Sequence, residues 1–81
     1  MKVLVHLNHG VDKSYLLSFD KDMTTQGLRL ILEDGDPDDT IKKLMGYSAK
    51  RVEISPKDRQ KAEAIAHFTI HQRGYTVERL A

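Results

Sequence analysis

Ser55 to Gly74 constrains the fold more than any other stretch, because its start, body and end all carry helix signals. Ser55 is a good N-cap, since its hydroxyl can accept from the free N–H groups of a first turn, and Pro56 suits the first helical position. Asp58 stands where a capping box has its reciprocal acid, shortened here from Glu to Asp. Gly74 supplies the left-handed residue that ends many helices, directly after Arg73, whose charge suits a last turn. At 3.6 residues per turn, Ala62, Ile65, Ala66 and Thr69 share a face, with Phe68 on its flank and Ile70 off it on the other side. The stretch therefore reads as one long helix over 56–73 that packs this face on a sheet. Gln60, Glu63, His67 and His71 form its opposite, polar stripe.

A sheet to receive that helix is found at the N-terminus. Val3, Val5 and Leu7 alternate with Lys2, Leu4, His6 and Asn8, the period of a strand, and Tyr15 to Phe19 is a second short run of strand formers. Asn8 to Lys13 holds the Asn, Gly and Asp of a turn, so the two runs read as an antiparallel hairpin. Residues 25–33 fit a helix, capped by Thr24 or Thr25 with Leu28, Ile31 and Leu32 on one face, but Leu28, Leu30 and Leu32 fit a strand as well. Helix is the reading taken, although Gly27 weakens it. Asp36-Pro37-Asp38-Asp39 repeats the start signal of Ser55 and opens a short helix over 37–45, with Ile41, Leu44 and Met45 as its apolar edge and Gly46 as its stop. Lys50 to Ile54 alternates as a strand, and Tyr75 to Glu78 as a short tail strand. The expected fold is thus a small two-layer α+β domain: an N-terminal β-hairpin, a short helix and one long C-terminal helix on a small sheet.

The 81 residues fit one domain, 1–81, and a chain of this length buries only ~60–65% of its unfolded surface. A homodimer would make up the shortfall in core. With no cysteine there is neither a disulfide framework nor a thiolate zinc site. The first residues are too sparsely apolar for a signal peptide or a membrane span, which makes the expected setting cytoplasmic, with no membrane partner. Net charge is +1, yet it is unevenly placed: residues 1–40 hold four Lys or Arg against eight Asp or Glu, and residues 41–81 hold nine against four. Such asymmetry marks either a polyanion-binding half or two complementary surfaces.

Little supports catalysis or cofactor chemistry. The five glycines stand singly, so no phosphate loop of either common spacing is present, and Ser14, Ser18, Ser48 and Ser55 lie in no nucleophile motif. The reading is a non-enzymatic protein without a cofactor. Asp34, Asp36 and Asp38 have the spacing of the first ligands of a calcium loop, but Asp39 and Met45 occupy the places that need Gly and a bidentate Glu, and helix capping accounts for the acids. The histidines fall in pairs, His6 with His9 and His67 with His71. On a helix the second pair shares a face one turn beyond Glu63, the weak basis for a metal-binding alternative.

The most pointed functional signal is Ile41 to Val52. A short helix, a glycine turn at Gly46, a capping Ser48 and then Val52 follow the pattern of a helix-turn-helix, whose recognition helix would carry Ala49, Lys50, Arg51 and Glu53. Lys42 stands where close helix approach wants a small residue, Pro56 limits the second helix to about two turns, and Val52 to Ile54 favours a strand. Apart from that motif, Lys42, Lys43, Lys50, Arg51, Lys57, Arg59 and Lys61 crowd seven cations into twenty positions. On one surface they would draw a polyanion by counterion release. The expected function is a small binding or regulatory module that meets a nucleic acid or an acidic protein surface through residues 42–61. The alternative is a protein-interaction adaptor or inhibitor.

Overall fold

The computed structural model describes residues 1–8, 10–32 and 37–80. Five strands and three helices follow in the order β1 (Lys2–Leu7), β2 (Lys13–Ser18), α1 (Thr25–Leu32), α2 (Pro37–Tyr47), β3 (Lys50–Ile54), α3 (Pro56–Glu63), β4 (Ala66–Gln72) and β5 (Tyr75–Leu80). The strands form a single antiparallel sheet in the order β3-β2-β1-β5-β4. The N-terminal hairpin is present as read, in a register that sets Leu7 against Lys13 and His6 against Ser14. Residues 25–32 are helix, with Thr24 as the cap: its Oγ1 accepts from the Gly27 N–H at 2.9 Å. His9 and the acidic run 33–36, where the calcium spacing and the Asp36 cap were read, lie outside the described residues.

The long C-terminal helix is not formed. Its start is correct, for Ser55 Oγ accepts from the Asp58 N–H at 3.2 Å and Pro56 opens the helix, but α3 ends at Glu63. Residues 66–72 are a strand, and the tail after Gly74 is a full strand that pairs with both β1 and β4. Two local causes explain the outcome. His67, Phe68, Thr69, Ile70 and His71 are middling helix formers but good strand formers, and their alternation puts Phe68 and Ile70 on one side and Thr69 and His71 on the other. Gly74 does adopt the positive φ expected of it, 89°, but as the second residue of a two-residue hairpin turn after Arg73, the conformation a type II turn requires there. A left-handed glycine closes a helix or a hairpin equally well, so the signal named the conformation and not the element.

The helices lie on both faces of the sheet, giving three layers where two were expected. Val3, Val5, Leu17, Ile70, Tyr75 and Val77 point to one face, where Leu28 and Leu32 of α1 and Ile41 and Leu44 of α2 close the main core. Each such fully buried side chain contributes roughly 1.5–3 kcal/mol. Strand alternation sends Leu4, His6, Leu16, Glu78 and Leu80 to the other face, where α3 packs against β1 and β5. Leu4 and Leu80 are buried beneath it at 1% and 6% exposure. α3 itself buries no residue completely. The sheet edges are β3, which carries Lys50, Arg51 and Glu53, and β4, which is bulged between Ala66 and Phe68; charges and bulges both discourage edge-to-edge pairing.

Candidate functional site

The helix-turn-helix reading fails at its second helix. Lys50 to Ile54 is strand β3, laddered to β2 from Ser18–Lys50 to Ser14–Ile54, because Val52 and Ile54 are β-branched and a sheet edge is available to them. Ser48 caps no helix; its N–H and its hydroxyl both donate to the Met45 carbonyl, at 3.1 and 2.6 Å, and close α2. The Ala49 N–H then donates to Ser18 O at 2.8 Å and delivers the chain into β3.

This exit from α2 builds a groove. Lys42, Met45 and Gly46 from α2, Ser48 and Ala49 from the turn, and Lys50 and Arg51 from β3 line a space of about 490 Å³; Gly46, read as the stop of this helix, lies within its last turn. Arg51 is placed by two soft contacts, its Nη1 donating to Met45 Sδ at 3.4 Å and its guanidinium standing over the Tyr15 ring at 6.0 Å from the centroid. Among the described residues no carboxylate lines the groove, and neither Lys42 nor Lys50 is ion-paired. Because the groove lies at the carbonyl end of α2, the helix offers an anion no N–H groups there.

The seven cations do not share one surface. Lys43 is exposed on α2 outside the groove, and Lys57 and Lys61 are exposed on α3, across the sheet. Arg59 is committed elsewhere. Its Nη1 lies 3.0 Å from His6 Nε2, 3.2 Å from His6 Nδ1 and 3.6 Å from Asp12 Oδ1, while its Nε lies 3.5 Å from Glu63 Oε1. Those contacts tie α3 to β1.

Around them is a polar cluster that a local reading of the sequence missed. His6 Nδ1 is 2.9 Å from Ser14 Oγ and His6 Nε2 is 3.3 Å from Asp12 Oδ1, which puts an acid, an imidazole and a hydroxyl in relay order. Their burial is the reverse of what nucleophilic catalysis needs: Ser14 is 4% exposed and offers no surface for attack, while the Asp12 side chain is 78% exposed. The cluster fastens α3 to the hairpin. Hairpin register was the signal that could have found it, since opposing Leu7 to Lys13 brings His6 beside Ser14. On the same face Glu78 has a buried Oε2 without a hydrogen-bond partner among the described residues. Burial pushes its pKa up, Glu63 pushes it further, and His71 and Arg59 partly offset them.

The metal alternative loses its geometric basis. His67 and His71 lie on β4, not on a helix face, and four residues along a strand span roughly 13 Å. His71 shares a cross-strand row with His6, but Thr76 stands between them. Among the described residues no group of three or more His, Cys, Asp or Glu side chains is placed to hold a metal ion.

No described helix is long and apolar enough to cross a membrane. Comparison with protein-family models, with curated proteins and with solved structures gave no match to this chain.

Proposed function

We propose that this chain is a small binding module that engages a nucleic acid through the groove at the end of α2. The observation that carries the reading is that Lys42, Lys50 and Arg51 line one groove with no carboxylate among the described residues that line it. Three cations without an ion-pair partner among the described residues release three counterions when phosphates replace them. For a single strand the logarithm of the affinity then falls with the logarithm of salt with a slope of about −2, and a fourfold rise in salt weakens binding about twentyfold. Without the recognition helix, the contacts are to the phosphate backbone and carry little sequence information of their own.

The test is fluorescence anisotropy with labelled DNA and RNA at two salt concentrations, on the whole chain and on a Lys50→Ala, Arg51→Ala variant, with the mass in solution recorded alongside. The expected result is salt-sensitive binding whose slope drops to about −0.7 in the variant, one cation remaining. Absence of binding at low salt sinks the proposal. Equal affinity for poly-glutamate reassigns the partner to an acidic protein surface, and a doubled mass shows self-association.

A further inference from the structure

Beside the basic groove lies a second one of different character. Phe19, Asp20, Lys21, Met23, Ile31 and Tyr47 line a space of about 440 Å³ between α1, the segment after β2 and the end of α2. Its walls are mainly apolar, and Tyr47 is 60% exposed. The two grooves flank the C-terminal end of α2: Gly46 and Ser48 line the basic one, and Tyr47 between them lines the apolar one. Phe19 directly follows Ser18, whose carbonyl holds Ala49, so both grooves are braced by the same junction between β2 and β3.

Leaving a tyrosine more than half exposed beside an apolar hollow forgoes burial that a chain with so small a core would use for stability. A ligand that matches the pair of grooves carries anionic charge on one side and a flat apolar face on the other. Resting on the nucleic-acid reading above, we infer that the partner is single-stranded, with its phosphates against Lys42, Lys50 and Arg51 and an unstacked base laid on Tyr47 against Met23 and Ile31. A duplex has the charge but keeps its base faces stacked, so it would leave the second groove unused. Asp20 and Lys21 both line the second groove, so its charges balance and the cationic side of the ligand site is the first groove.

An abasic strand separates the two grooves experimentally, because it keeps the phosphates and lacks the bases. Anisotropy is measured with a labelled single strand of about 12 nucleotides, the abasic strand of equal length and a duplex, for the natural chain, Tyr47→Ala and Tyr47→Phe. Stacking of one base predicts that the natural chain prefers the base-bearing strand to the abasic one by about tenfold or more. Tyr47→Ala should erase that preference while abasic binding stays unchanged, and Tyr47→Phe should keep it. Equal binding of base-bearing and abasic strands by the natural chain overturns the inference and leaves the basic-groove reading standing, as does tighter binding of the duplex. Tyr47→Ala lowering both strands alike also overturns it. Failure of every probe to bind at low salt removes both readings together.

Discussion

Two isoleucines five residues apart decide between helix and strand for residues 66–72. On a continuous helix Ile65 belongs to the packed face and Ile70 lies off it. In the observed fold the order is reversed: Ile65 is 53% exposed in the turn after α3, and Ile70, opposite Val77 on β5, is 2% exposed within the main core. Ile70→Ala removes buried methyl and methylene groups and leaves a cavity between the sheet and the helices, a loss of ~2–5 kcal/mol. Ile65→Ala forgoes about half the burial and creates no closed cavity, which puts its cost under ~1 kcal/mol. A domain of this length has a total stability of roughly 4–12 kcal/mol, so the first substitution removes about a sixth at the least and the second is minor. Urea unfolding followed by circular dichroism reads the difference directly. With a slope of about 1 kcal/mol per molar urea, the midpoint should fall by ~2 M or more for Ile70→Ala and by less than ~1 M for Ile65→Ala. A larger loss at Ile65 than at Ile70 would refute the strand and the topology built on it.

Glu78→Gln should raise the urea midpoint at neutral pH. Because burial and Glu63 lift the Glu78 pKa in the folded chain, the folded state holds this proton more tightly than the unfolded state. The stability this proton contributes is therefore complete below the ordinary glutamate value and is lost as pH rises through the elevated one. The variant should flatten that decline, and an unchanged pH profile would show that the carboxylate is solvated as well in the fold as out of it. Ser55→Ala should cost ~1 kcal/mol, and Ser55→Gly only a few tenths, because an eight-residue helix that buries no side chain completely depends on its cap. Equal midpoints for Ser55→Ala and the natural chain would mean that α3 is held by Arg59 and its partners alone.

Local signals marked the element starts that rest on side-chain chemistry among the described residues. Ser55 with Pro56 opened α3, Thr24 capped α1, and the alternation of Val3, Val5 and Leu7 marked β1 and the face it turns to the main core. Such features are readable because their physics involves residues a few positions apart. The same local character hid the partners: Tyr75 to Glu78 read only as a short tail strand because the pairing of β5 with β1 spans nearly the whole chain. Of the basic region, the residue types and their crowding were legible, but their grouping was not. Lys42, Lys50 and Arg51 share a groove, while Arg59 is drawn to His6, Asp12 and Glu63 on the opposite face.

Composition and short-range pattern by themselves determined an α+β chain with a hairpin at its start, a short helix from Pro37 and a cationic stretch after residue 41, and left residues 25–33 open between helix and strand. Tertiary structure decided what followed Glu63. The segment from Ala66 is a middling helix former beside an unfilled sheet edge, and pairing with β5 satisfies its backbone while burying Ile70 in the main core. That choice moves the two histidines apart, puts α3 on its own face of the sheet and separates the seven cations. A side chain's neighbours across a sheet depend on register and strand order, which no periodicity within one strand specifies.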